Sequence, residues 1–123
     1  MRQGRLTVEF RDRTKRFAAQ IIRLYVDLPK GHEEVKVLGK QLLRSGTSVA
    51  AHVREASRAR SDAEFISKLG GALQETDESQ LWLELLLEEC KIPIEPSQSI
   101  HREAGEIIAI MTTIVKKIKN RES

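Results

Sequence analysis

Cysteine, proline and aromatic residues are all scarce in this chain of 123 residues, which has one cysteine, three prolines and 4% aromatic residues. A single cysteine, Cys90, rules out an internal disulfide and is typical of proteins in a reducing compartment. Few aromatic residues and prolines argue against a β-sandwich, which needs many strand-forming residues and turns. The composition therefore predicts a helical protein, and the length predicts a single domain over residues 1–123.

Long apolar runs are absent as well. No stretch of about 18 apolar residues occurs, as a membrane-spanning helix would require. The first ten residues, MRQGRLTVEF, also lack the apolar segment of a signal peptide. We therefore expect a soluble, cytoplasmic protein without membrane contact.

The sequence also lacks motifs for catalysis or metal binding. Metal-dependent helical bundles commonly carry inward-facing Glu-x-x-His pairs, and the chain has none. His32, His52 and His101 share no spacing typical of metal ligands. Gly70 and Gly71 lie in a strongly helical segment, so they predict close packing of a neighbouring helix rather than a phosphate-binding loop. The sequence predicts no catalytic residues, no metal and no cofactor, and hence a protein that is not an enzyme.

Four segments with helical periodicity are what the sequence does contain. We predict helices at about residues 12–28, 33–58, 62–90 and 97–119. Pro29 and Gly31 separate the first two segments, because both residues oppose helix continuation. Ser61 is the predicted N-cap of the third helix, since Glu64 follows it at the spacing of a capping box.

Apolar or small side chains recur at steps of three and four residues in each segment. The predicted core positions are Phe10, Thr14, Phe17, Ile21, Leu24 and Leu28, then Val35, Leu38, Leu42, Ser45, Val49 and Val53, then Phe65, Leu69, Ala72, Thr76, Ser79, Leu83 and Leu86, and finally Ile100, Ala104, Ile107, Met111, Ile114 and Ile118. Four such helices joined by short loops predict an all-α, antiparallel up-down-up-down four-helix bundle.

Positive charge is concentrated in the first half of the chain. Residues 1–60 carry 14 Lys and Arg against 6 Asp and Glu, a net charge of +8, whereas residues 61–123 carry 7 against 12, a net charge of −5. The two halves should therefore attract each other, within a subunit or between subunits. The alternative is that this asymmetry only balances a solvated surface.

A basic stripe runs along the second predicted helix, opposite its core, when the residues are projected at about 100° each. Its basic members are Lys36, Lys40, Arg44, Arg54 and Arg58. The small side chains of Thr47 and Ala51 occupy its centre, and only two acidic residues, Glu33 and Glu55, lie near it. An ordinary solvated face normally mixes both signs, so we weigh two partners for the stripe, a nucleic acid backbone and an acidic helix of a neighbouring subunit. The first helix would add Arg11, Arg13, Lys15 and Arg16.

Two large apolar residues of the third predicted helix, Trp82 and Leu85, lie off its core positions. Large apolar groups in exposed positions commonly mark interaction surfaces. We therefore interpret Thr47, Ala51, Trp82 and Leu85 as an interface for self-association. The alternative is that Trp82 lies over the edge of the bundle.

Two blocks of sequence, QLLRSGTSVAAHVREA and RARSDAEFISKLGGALQETDESQLWLELL, resemble the bacterial four-helix-bundle proteins encoded in intervening sequences of large-subunit ribosomal RNA genes. The resemblance covers nearly the whole chain and implies a homopentameric ring with a positively charged surface. The chain is also similar to the accessory proteins of diversity-generating retroelements, which implies a nucleic acid and a reverse transcriptase as partners. Members often carry Asn in place of His52, a small residue in place of Arg54 and Gly in place of Ala56, so a site shared through that Asn and Gly is in doubt here.

Two hypotheses for function follow. The first is a non-enzymatic, oligomeric four-helix bundle that binds RNA or DNA backbones through its basic surface with little sequence preference. The second is an interaction scaffold without a nucleic acid partner, in which the basic second helix docks on an acidic helix of a neighbouring subunit.

Overall fold

The computed structural model describes residues 4–122, which form four α-helices and no strand. The helices are α1 (Val8–Asp27), α2 (Glu33–Ser57), α3 (Asp62–Glu88) and α4 (Ser97–Glu122). The prediction of an all-α chain with four helices is therefore confirmed. The ends of the predicted domain, residues 1–3 and 123, lie outside the described residues.

The helix boundaries follow local capping. The structure starts α1 four residues earlier than predicted, because Thr7 caps it by accepting a hydrogen bond from the Phe10 backbone N–H at 3.1 Å. Ser61 caps α3 as predicted, with its hydroxyl oxygen accepting from the Glu64 backbone N–H at 3.1 Å. The other predicted boundaries differ from the observed ones by no more than three residues.

Helices that follow one another in the chain pack against one another, and α2 with α3 forms the most extensive pair. Ser45 meets Ser79 and Glu55 meets Lys68, so residue numbers rise along α2 as they fall along α3. This pair is therefore antiparallel. Together with the short connections between helices, it agrees with the up-down order of the predicted bundle.

The core is built mainly from the predicted positions. All core residues that we predicted for the first and third helical segments are buried. Leu38 in α2 and both Ile114 and Ile118 in α4 are only partly buried, because they pack against the margin of the core. Across the described chain, no helix combines the length and the apolarity that crossing a membrane requires.

The prediction for the glycine pair in α3 is correct for one of the two residues. A Cβ on Gly71 would lie 3.3 Å from the His52 ring, so α2 packs closely at this position. A Cβ on Gly70 would have no heavy atom within 4 Å. Gly70 therefore faces open space, and the expected role in helix packing is wrong for it.

Candidate nucleic-acid interface

A groove with a volume of about 570 Å³ lies between the first half of α1 and the second half of α2. It is lined by Val8, Arg11, Asp12, Lys15, Ala50, Ala51, Val53, Arg54, Glu55 and Arg58. Four of these ten residues are basic and two are acidic. We call Arg11, Lys15, Arg54 and Arg58 the groove cations.

The spacing of the groove cations along each helix explains why they meet. Arg11 and Lys15 are four residues apart in α1, and Arg54 lies four residues before Arg58, the residue that caps the end of α2, so each pair lies on one side of its helix. The rise of an α-helix separates the members of each pair by about 6 Å along the axis. The small side chain of Ala51 lies in the groove with them and leaves room for a ligand.

None of the groove cations forms an ion pair with another part of the described chain. Lys15, Arg54 and Arg58 are exposed, whereas the Nε atom of Arg11 is buried and has no hydrogen-bond partner. Positive charges that are gathered in a concave surface without internal partners attract anions from solution. The groove is thus equipped to receive a ligand with several negative charges.

The two carboxylates of the groove are Asp12 and Glu55. The Oε2 atom of Glu55 lies 2.9 Å from the ammonium Nζ of Lys68 on α3. This hydrogen bond and the charge of Lys68 hold the pKa of Glu55 below its ordinary value. Because Lys68 does not line the groove, a cation outside the groove compensates the charge of Glu55, and the groove keeps an excess of positive charge.

Arg13 and Arg16, which we grouped with Arg11 and Lys15, do not line the groove. The guanidinium of Arg13 lies 2.7 Å from Glu103 and 3.2 Å from Glu106, both on α4. Hydrogen bonding to Glu103 raises the pKa of Arg13 above its ordinary value. Arg13 therefore links α1 to α4 and is a poor candidate for contact with an external anion, whereas Arg16 is exposed and lies outside the groove.

The basic stripe of α2 is divided in the structure. Arg44 lies 3.6 Å from Glu75 and 3.5 Å from Glu78, so the expectation that only Glu33 and Glu55 would be near the stripe is wrong. A projection of α2 alone could not show these acidic residues, since both come from α3. Lys36 and Lys40 are exposed but lie toward the start of α2, outside the groove.

The residues that we predicted for self-association lie on two helices, with Thr47 and Ala51 on α2 and Trp82 and Leu85 on α3. Thr47 is half-buried and donates a hydrogen bond to the Leu43 carbonyl at 2.8 Å, and Ala51 belongs to the groove. Trp82 and Leu85 are half-buried rather than exposed, and Trp82 packs against the core with its Nε1 atom buried and unpaired. The alternative that Trp82 covers the edge of the bundle describes the structure better.

Other large apolar side chains, which we did not predict as interface residues, are exposed. The exposed fraction is 45% for Ile22 and 66% for Val26 on α1, and 45% for Leu81 on α3. None of the three is a predicted core position. The helical projection that placed Trp82 outside the core therefore places these residues outside it as well. Exposed apolar residues of this size are candidates for a contact surface.

Metal ligands and reactive thiols are not gathered at the groove. The described residues contain no group of three or more His, Cys, Asp or Glu residues that could hold a metal ion. Cys90 lies elsewhere, and burial together with the charges of Glu34 and Glu89 raises the pKa of its thiol. Since the thiolate is the reactive form, this setting does not activate Cys90 as a nucleophile.

Comparisons with known proteins place the groove within a matched region. The 23S rRNA-intervening sequence protein family matches residues 7–113, a span that includes every groove residue. The chain is also similar to a protein with unknown function from the S23 ribosomal protein family, from Bacteroides thetaiotaomicron VPI-5482, whose crystal structure has been solved. The two sequences are 41% identical. The match covers 87% of this chain and 98% of that chain, with a TM-score of 0.78. No curated protein matches this chain.

Proposed function

We propose that this chain, which belongs to the 23S rRNA-intervening sequence protein family, is a non-enzymatic protein that binds the phosphate backbone of RNA or DNA in the groove between α1 and α2. The observation that supports this most strongly is the convergence of Arg11, Lys15, Arg54 and Arg58 from two helices, with no ion-pair partner in residues 4–122.

The side chains of the groove favour phosphate over bases as the group that is bound. Arginine guanidinium groups can donate two hydrogen bonds to one phosphate, and three of the four groove cations are arginines. No aromatic side chain lines the groove, so it offers no platform on which bases could stack. Contacts of this kind position a nucleic acid without reading its sequence, and salt weakens them.

We further propose that the chain associates with itself. The sequence resemblance implies that the assembly is a pentameric ring. Ile22 and Val26 are exposed on α1 and Leu81 is exposed on α3, so two different helices present apolar side chains to a partner. Contact between two different surfaces of identical subunits is heterologous and closes into a ring when the rotation permits. A ring would present several grooves to one nucleic acid and so raise its affinity.

The scaffold hypothesis, in which basic α2 docks on an acidic helix of a neighbouring subunit, has less support. Arg44 of α2 already pairs with Glu75 and Glu78 of its own α3. Arg13 of α1 likewise pairs with Glu103 and Glu106 of α4. Part of the charge asymmetry between the two halves of the chain is thus balanced within one subunit. A reverse transcriptase remains a proposed partner only through the resemblance to retroelement accessory proteins.

Fluorescence anisotropy with a short labelled RNA duplex tests the proposal. The groove variant Arg54→Gln/Arg58→Gln removes two cations, and the control variant Lys116→Gln/Lys117→Gln removes two exposed cations of α4 that lie outside the groove. At about 0.1 M salt we expect the groove variant to bind at least about tenfold more weakly than the natural chain, because two phosphate contacts are lost. The control should bind within about twofold of the natural chain, because it keeps every phosphate contact. Equal losses in both variants would contradict a defined site in the groove.

A further inference from the structure

Lys68 lies on α3, outside the groove, yet its ammonium group is 2.9 Å from the groove carboxylate Glu55. We propose that Lys68 is a positioning residue that sets the affinity of the groove for phosphate by holding Glu55 toward α3 and away from the groove cations. The inference rests on the proposed function and concerns the regulation of the same site.

The position of Glu55 in α2 explains why it has to be held. Arg58 follows Glu55 by three residues, a spacing at which opposite charges on a helix normally pair. In the structure Glu55 does not pair with Arg58 but reaches across to Lys68, with His52 4.0 Å away. Lys68 therefore competes with Arg58 for the Glu55 carboxylate, and Arg58 stays free for an external anion.

The surroundings of Lys68 leave Glu55 as its main partner. Glu64 precedes Lys68 by one helical turn, but the carboxylate of Glu64 lies 3.9 Å from Arg60. Hydrogen bonding to Glu55 raises the pKa of Lys68, and the charge of Glu64 adds a smaller effect in the same direction. Lys68 thus remains charged and directed at Glu55.

Loss of the Lys68 charge has a defined consequence for the groove. The freed Glu55 carboxylate would turn to Arg58 and act as an internal competitor for phosphate. The groove would then lose the equivalent of one phosphate contact, which corresponds to about five- to tenfold weaker binding at about 0.1 M salt. Acetylation of Lys68 would act in the same way, because it removes the same charge.

A double-mutant cycle tests the inference with the labelled RNA duplex. Its four proteins are the natural chain, Lys68→Gln, Glu55→Gln and Glu55→Gln/Lys68→Gln. We expect Lys68→Gln to weaken binding about five- to tenfold and the double variant to bind as tightly as Glu55→Gln. The double variant carries the same Lys68 substitution, so its retained binding separates the proposed role from a loss of folding. Lys116→Gln removes one exposed positive charge of α4, a helix that contributes no residue to the groove, and should change affinity by less than about twofold.

The outcomes separate this inference from the function on which it rests. If Lys68→Gln weakens binding by the same factor in the natural chain and in the Glu55→Gln variant, Lys68 acts only through its own charge, and the positioning role is wrong. If Lys68→Gln has no effect while the Arg54→Gln/Arg58→Gln variant loses affinity, the inference fails and the proposed function stands. If the natural chain does not bind the duplex, both fail.

Discussion

Gly46 of α2 faces Ile21 of α1 so closely that a Cβ on Gly46 would lie 2.3 Å from the Cδ1 atom of Ile21. Two further atoms of Ile21 would lie at 3.1 and 3.3 Å. This approach holds α1 against α2 one helical turn before the groove, which begins at Ala50. The packing of a glycine thus helps to place the groove cations of the two helices opposite each other.

Gly46→Ala should therefore destabilise the protein, although alanine favours a helix. Overpacking of a core typically costs about 1–3 kcal/mol, which exceeds the gain of about 1 kcal/mol from replacing a helical glycine. Gly70→Ala is the matched control, because its added methyl group meets open space and should stabilise the protein by about 0.5–1 kcal/mol. Urea unfolding measures both changes. Equal stabilisation by the two substitutions would show that α1 does not approach α2 this closely.

The buried hydroxyl groups of Ser45 and Ser79 lie 2.8 Å apart between α2 and α3. Removing one hydroxyl leaves the other without its partner across the interface, so Ser79→Ala should cost about 1 kcal/mol of unfolding free energy. The double variant Ser45→Ala/Ser79→Ala should cost less than the sum of the two single variants, because each single variant already loses the hydrogen bond between the two hydroxyls and the sum counts that loss twice. Chemical unfolding of the four proteins measures the coupling, and strict additivity would contradict it.

The pH dependence of stability should include a contribution from Asp62. One oxygen of Asp62 lies 2.6 Å from Arg5, and the other lies 3.4 Å from Arg121. The hydrogen bond from Arg5 holds the pKa of Asp62 below its ordinary value of 3.8. A carboxylate with a lowered pKa in the folded state stabilises the fold above its ordinary pKa, and the stabilisation is lost as the pH falls through the folded pKa.

Asp62→Asn should accordingly lower the Tm at neutral pH. The difference in Tm from the natural chain should shrink as the pH falls below 3.8, because Asp62 itself becomes protonated there. Thermal unfolding followed by circular dichroism over a pH series measures the difference. A difference that stays constant down to the acid limit would mean that the charge of Asp62 does not contribute.

Self-association should depend on the exposed apolar side chains. Leu81→Glu places a charge where the proposed contact is apolar, so the variant should have the mass of a single chain in light scattering after gel filtration. Gln74→Glu adds the same charge at another exposed position of α3 and should leave the assembly intact. A natural chain that is itself monomeric at working concentrations would contradict the proposed assembly.

The helices and most of the core could be predicted from the sequence, because a buried stripe is a local property of each helix. Every core position predicted in α3 is buried, and the Ser61 cap forms at the expected residue. The predicted start of α1 is four residues late because Phe10, three residues after Thr7, cannot complete a capping box, so Thr7 did not stand out as the N-cap that it forms.

The candidate site could be predicted only in part, because it depends on which helices meet. Arg13 and Lys15 are two residues apart, yet Arg13 pairs with Glu103 of α4 while Lys15 lines the groove with α2. Arg44 projects from the same stripe of α2 as Arg54, but it meets acidic residues of α3. Only the packing of the helices separates the free cations from the paired ones.

If the groove cations bind phosphates, the affinity for a duplex DNA must depend on salt through them. The quantity to measure is the slope of the logarithm of affinity against the logarithm of salt concentration. Each phosphate contact contributes about 0.9 to the magnitude of this slope. Arg54→Gln/Arg58→Gln should therefore flatten the slope by about 1.8, whereas Lys116→Gln/Lys117→Gln should leave it unchanged. A groove variant with the slope of the natural chain would show that these arginines do not contact the backbone.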